Sequence, residues 1–179
     1  MSVRKRIGKY LEKQPVVHKT AFIAPGVQLI GAVIIGQDSS IWHNSVLRAD
    51  INTIKIGKGV NIQDGCLLHL EDDRGVIIED GVTVGHGAIL HACTIRKNAL
   101  IGMGAIILNG AVIGEGAVVG AGALVPPGKK VLNGSLVIGR PARVSRKLTT
   151  DEIKKIRYWS EKYIELAQEY KQSKSGIIL

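Results

Sequence analysis

An aliphatic residue returns every six positions along most of the chain. Ile23, Leu29, Ile35, Ile41 and Leu47 form a first run, Ile56, Ile62 and Leu68 a second, and Ile78, Val84 and Leu90 a third. Ile95, Ile101, Ile107, Ile113, Val119, Val125 and Val131 follow. A helix repeats near 3.6 and a half-buried strand at 2, so a period of six marks a repeat unit instead. Each hexad reads as one short strand plus a corner, and three hexads close a triangular coil of about 18 residues. Coils stack at about 4.8 Å, which turns the inward residues into aliphatic columns. Gly or another small or polar residue often follows the beat, and Gly and Asn permit tight corners. The predicted fold is all-β: a parallel β-helix of hexapeptide repeats over about residues 15–145.

The beat slips in three places. Leu47 to Ile56 has three extra residues, Leu68 to Ile78 has four, and Leu90 to Ile95 is one short. Extra residues must bulge from corners, and loops on a rigid scaffold are where binding and chemistry tend to sit. After the repeat, Thr149-Thr150-Asp151-Glu152 offers a capping box, with Thr149 as N-cap and Glu152 at N3. Ile153, Ile156, Ser160, Tyr163, Ala167 and Tyr170 then recur at helical spacing. This predicts a C-terminal α-helix over about residues 150–172 that covers one face of the prism. Residues 1–179 read as a single domain.

Composition agrees: the chain is 45% hydrophobic but only 4% aromatic, so Val, Ile, Leu and Ala must fill the core. The net charge of +9 is spread out, and no aromatic stacking platform accompanies it, which argues against nucleic acid as a partner. No apolar run is long enough to span a bilayer, and the basic N-terminus lacks the apolar stretch of a signal peptide. Counted from the preceding beat, Cys66 and Cys93 occupy different slots of their hexads and form no C-x-x-C motif. They read as small packing residues, and a reducing cytoplasm fits.

The repeat also places the histidines. Arg48, His69 and His91 each follow a beat residue, and three hexads separate Leu47 from Leu68 and Leu68 from Leu90. The three therefore share one face in successive coils, with His69 and His91 one coil apart, a spacing that suits two imidazoles on one metal. His86 falls on a different face, with Gln63 and Asp64 one coil below it. A three-fold trimer brings them together, because its interface sets one face of a subunit against a different face of the next. The remaining outer face is then left for the C-terminal helix. Three imidazoles with an open fourth position are the pattern of a catalytic zinc site. His18 precedes the regular coils, and His43 lies two coils from His86, roughly 9–10 Å by strand spacing and too far to be a ligand.

Ser45 to His69 (SVLRADINTIKIGKGVNIQDGCLLH) and Val82 to Cys93 (VTVGHGAILHAC) resemble the γ-class carbonic anhydrases, and VPPGKK, IGRPAR and YIELA extend the likeness. The resemblance implies a left-handed β-helix, a homotrimer, and one metal at each subunit interface. It implies reversible hydration of CO2 to bicarbonate by a metal-bound hydroxide, with His69, His86 and His91 as ligands of Zn2+, Fe2+ or Co2+. It further implies that Gln63 orients the hydroxide, that Arg48, Asp50 and Asp64 form an intersubunit ion network, and that Tyr163 approaches the metal. Two features depart from the founding pattern. Ile51 stands where a Glu follows the R-x-D aspartate, and the long acidic loop with its proton-shuttling Glu shrinks to Glu71-Asp72-Asp73-Arg74. Glu71 or Asp72 is a candidate shuttle; the other reading of this stretch is a solvated acidic turn. Two further functions stay open on the same scaffold: a metal-binding trimer with a structural or accessory role, and a CoA-dependent acyltransferase or thioesterase, since fold does not settle function.

Overall fold

The computed structural model of the protein describes residues 2–172. It is a parallel β-helix whose strands line three faces. The first face carries Phe22–Ile23, Ser40–Ile41, Asn61–Ile62, Thr83–Val84, Leu100–Ile101, Val118–Val119 and Ser135–Ile138, stacked in parallel register. A final strand, Arg143–Lys147, pairs antiparallel with Ser135–Ile138 at its upper edge. The second face includes Leu67–His69, Ile89–His91, Ile106–Ile107 and Leu124–Val125, and the third includes Val76–Ile78, Thr94–Ile95, Val112–Ile113 and Lys130–Val131. Two longer strands, Gln28–Ile35 and Val46–Ile56, run around the edge between the second and third faces and join them into one sheet.

The beat residues fill the interior as expected. From Ile35 to Val131 none is more than 4% exposed. The period also continues one step beyond the sequence reading, to a fully buried Val137. A second inward column lies two residues before each beat, where small side chains such as Ala88, Ala99, Ala105, Ala111, Ala117 and Ala123 fill the narrow space. Cys66 and Cys93 both stand in this column, so they share a slot rather than occupying different ones. The missing residue before Ile95 is taken out of the corner at Ala92, which adopts φ +47°, and leaves the inward positions unchanged. Burial pushes both thiols up to about 12.

All three irregularities fall on one edge, between the second and third faces, in three consecutive coils. Ala49 sits opposite Gly31 and Ile54 opposite Val33, so the first insertion is a β-bulge at the turn. The second is the loop at Glu71–Arg74, closed by the Glu71 amide donating to the Arg74 carbonyl at 2.9 Å. The side chains of Asp72, Asp73 and Arg74 stay exposed, as in a solvated acidic turn, while the turn is also anchored to its neighbours. Arg6 contacts the Asp72 carboxylate at 3.3 Å, and Asn52 donates to the carbonyls of Glu71 and Asp72.

Two helices flank the solenoid. The helix α1 (Val3–Tyr10), which the basic N-terminal sequence had concealed, is capped by Ser2 and packs against the long strand Val46–Ile56. The helix α2 (Thr150–Gln172) starts with the predicted capping box: the Glu152 amide donates to Thr149 Oγ1 and the Thr149 amide to Glu152 Oε2. It does not cover the third face, as the sequence reading had it, but the first. The reason is aromatic. Phe22 and Trp42 project from the first face, and Trp42 meets Tyr163 and Tyr170 of α2 edge to face at 5.5 and 5.0 Å between ring centres. Ser160 adds a hydrogen bond to the Gly59 carbonyl at 2.8 Å. A side chain at Gly59 (φ +60°) would press on Ile164, so that corner needs glycine for the helix to lie close. Among the described residues, no helix is long and apolar enough to cross a membrane.

Candidate metal centre

His69 and His91 end adjacent strands of the second face and lie directly in register. Their rings sit 5.2 Å apart, with His69 Nδ1 facing His91 Nε2 at 3.2 Å. The outward nitrogens are both taken. His69 Nε2 lies 3.1 Å from Asp50 Oδ1, and His91 Nδ1 lies 2.7 Å from Asn109 Oδ1. Oxygen acceptors there make those nitrogens the protonated ones, so each ring turns its lone pair toward the other. Two facing lone pairs repel unless a proton or a cation lies between them. Tetrahedral Zn2+ with bonds of about 2.0–2.1 Å holds neighbouring ligand atoms about 3.3–3.4 Å apart, close to the observed separation. The donor chemistry and spacing therefore fit a shared metal ion.

The surrounding groups orient this pair. Arg48 donates to Asp50 Oδ2 while His69 engages Oδ1, so the carboxylate is held at both oxygens. Burial raises the Asp50 carboxyl, but hydrogen bonds from Arg48 and His69 outweigh it and keep the group below its usual range. Burial lowers His69, with the Asp50 hydrogen bond working against it. Behind His91, Asn109 Nδ2 donates to Glu71 Oε1, which ties the acidic turn to the site.

His86 lies elsewhere, at the edge between the first and second faces, half exposed. Its Nδ1 is 2.8 Å from Asp64 Oδ2. Among the described residues of one chain, no three His, Cys, Asp or Glu side chains converge on a point. His86 is thus not assembled with His69 and His91 within one subunit, as the repeat spacing predicts. Asp64, for which the resemblance implied an ion network with Arg48 and Asp50, lies between His43 and His86 of its own chain.

A cavity of about 340 Å³ opens beside His86, bounded by Gln63, Thr83, Met103, Trp159 and Tyr163. Gln63 is almost fully buried; its Nε2 donates to Asn61 Oδ1 at 3.1 Å, and Asn61 Nδ2 donates to Thr83 Oγ1 at 2.9 Å. This chain fixes the direction of the Gln63 amide and leaves its Oε1 as a free acceptor. Burial, with the charge of Asp64, raises the Tyr163 hydroxyl. His18 bonds Thr20 in a turn away from both clusters. Sequence reasoning missed Asn61, Thr83 and Asn109. The clue was available: each is a polar residue on a strand or corner whose neighbours are mostly aliphatic.

The repeat itself is recognised: residues 92–127 match the family described as bacterial transferase hexapeptide (six repeats). These features define a hexapeptide-repeat β-helix protein with histidines on two of its edges. The chain is 52% identical over 162 residues to the carbonic anhydrase of Geobacillus kaustophilus, spanning 90% of this chain and 89% of that one. It is 42% identical over 174 residues to the mitochondrial gamma carbonic anhydrase 1 of Arabidopsis thaliana, spanning 94% of this chain and 63% of the longer plant protein. The crystal structure of a Bacillus cereus protein provisionally named an acetyltransferase superposes with a TM-score of 0.88 at 51% identity, covering 89% of this chain and 93% of that one. The protein belongs to the γ-class carbonic anhydrase family.

Proposed function

We propose that this protein is a carbonic anhydrase of the cytoplasm that catalyses reversible hydration of CO2 to bicarbonate at the subunit interfaces of a homotrimer. One observation carries the proposal: each of His69, His86 and His91 has one ring nitrogen engaged by an oxygen acceptor, which leaves the other with its lone pair free, as a metal ligand requires. His69 and His91 of one subunit and His86 of the next would hold Zn2+, with Fe2+ or Co2+ also suited to the imidazoles. Bound there, the ion supplies the Lewis acidity that makes hydroxide available near neutral pH.

The surface of the second face supports the trimer. Its outward positions Val46, Leu67, Ile89, Ile106 and Leu124 form an aliphatic column, and Leu67 is 47% exposed in one chain. His86 bounds this face on one edge and the His69–His91 pair lies toward the other. Three second faces packed around a three-fold axis bring the first edge of each subunit to the second edge of its neighbour.

The remaining residues orient and enclose. Gln63 offers its Oε1 to a proton on the reacting oxygen, held in place by Asn61 and Thr83. Arg48 and Asp50 hold His69, Asp64 holds His86, and Tyr163 and Trp159 wall the cavity against water. Both cysteines are free and buried, which supports a reducing compartment. CO2 hydration by the metal-loaded protein, compared with His69→Ala at equal metal load, tests the reading; equal rates refute it.

The hexapeptide match to transferases supports a second reading, an acyltransferase in which histidine acts as a base without metal. Acyl transfer from a CoA thioester that survives a strong chelator would favour it.

A further inference from the structure

We infer that His43 is a positioning residue for the metal ligand His86, acting through Asp64. The inference rests on the ligand role proposed for His86. His43, Asp64 and His86 each stand two residues beyond a beat residue, and those beats, Ile41, Ile62 and Val84, are in register on consecutive coils. The three side chains therefore form a column along one edge of the prism. A ladder of backbone hydrogen bonds fixes that edge: the Gly65 amide donates to the His43 carbonyl, Gly87 to Asp64 and Gly104 to His86, at 2.8–2.9 Å.

Asp64 is the middle member, and its side chain is 43% exposed. A carboxylate on an open corner, held at one oxygen, can swing about its own bonds. Here both oxygens are engaged: His43 Nδ1 lies 3.2 Å from Oδ1 and His86 Nδ1 lies 2.8 Å from Oδ2. An ionised carboxylate only accepts, so both imidazoles donate from Nδ1. For His86 that leaves the Nε2 lone pair directed away from the column, as a ligand requires. His43 is itself steadied by rings on two sides, Trp42 at 6.2 Å and Tyr170 of α2 at 6.5 Å between centres. The residue too distant to bind metal thus sets the orientation of one that does.

The test is Co2+ uptake by the full-length, metal-free protein, measured by competition with a chelator. Four variants are compared: His43→Ala, His43→Phe, His43→Asn and His86→Ala. Phenylalanine keeps the ring packing but donates nothing. Asparagine carries an amide nitrogen as many bonds from Cα as Nδ1, so it keeps the donor. The expected result is about a tenfold loss of Co2+ affinity in His43→Ala and His43→Phe, the low end for an outer-shell partner. His43→Asn stays near wild type in Co2+ affinity, and any fall in the melting temperature of the metal-free protein follows the lost ring contacts, in His43→Ala and His43→Asn but not in His43→Phe. Wild-type affinity in His43→Phe, or a loss in His43→Asn as large as in His43→Ala, overturns the inference. If His86→Ala loses Co2+ while both His43→Ala and His43→Phe keep it, only the role of His43 falls. If His86→Ala binds as wild type does, the metal reading falls and takes His43 with it.

Discussion

Mixing two variants, each expected to be inactive, tests the proposed intersubunit site directly. Take His91→Ala, which spoils the second face, and His86→Ala, which spoils the neighbouring edge. In the proposed trimer, each variant by itself keeps only part of the ligand set at every interface. Structural zinc sites bind with about 10–16 kcal/mol shared among four ligands, so losing one costs about 2.5–4 kcal/mol, roughly sixtyfold to several-hundredfold in affinity. At a free metal concentration tenfold above the wild-type Kd, both variants are then largely empty. Now let equal amounts of the two chains exchange, by refolding together or by co-expression. An intact site needs the His86→Ala chain to supply His69 and His91, and the His91→Ala chain to supply His86. Each condition holds with probability of about one half, so about one quarter of the interfaces regain all three imidazoles. Metal stoichiometry and CO2 hydration should both rise to about that fraction of wild type. Absence of any recovery in a mixture shown to contain hybrid trimers would refute an interface site.

Other consequences can be checked on the stability of the fold. Leu90 is fully buried between Leu68 and Ile107 on adjoining coils, so Leu90→Ala should destabilise by about 2–5 kcal/mol in chemical denaturation. Hydrogen bonds from Arg146, then from the Thr149 amide, lower Glu152 to about 2. A depressed carboxylate contributes stability above its unfolded value, near 4.5, and loses it as the pH falls through about 2. The difference in melting temperature between wild type and Glu152→Gln should therefore be present at pH 6 and fade across that window. Cys66 and Cys93, held as neutral thiols up to about 12, should not react with a disulfide reagent at pH 8 until denaturant is added.

The solenoid was legible because each coil turns a branched aliphatic side chain inward at a fixed interval, and Ile101, Ile107 and Ile113 repeat it without interruption. Val137 was harder to see, since Asn133 and Gly134 precede it and the strand leads into an antiparallel partner. The helix α1 hides its apolar positions, Ile7 and Tyr10, among Arg4, Lys5, Arg6 and Lys9. The face chosen by α2 could not be read from the beat, because outward aromatics decide it. With so few aromatics in the chain, Phe22 just before the beat Ile23 and Trp42 just after the beat Ile41 of the next coil were the available signal. The spacing of His69 and His91 followed directly from coil arithmetic. The stacking of His43, Asp64 and His86 follows from the same arithmetic, but the bonds that Asn109 and His43 make do not, because they depend on how side chains reach along an edge.

Stacked parallel coils have no intrinsic length, since every edge is a template for one more turn. Arg143–Lys147 ends this by reversing direction. An arriving coil from another molecule meets a strand running the wrong way, exposed along its length and carrying three positive charges. Head-to-tail extension of the first face is thereby blocked at this end.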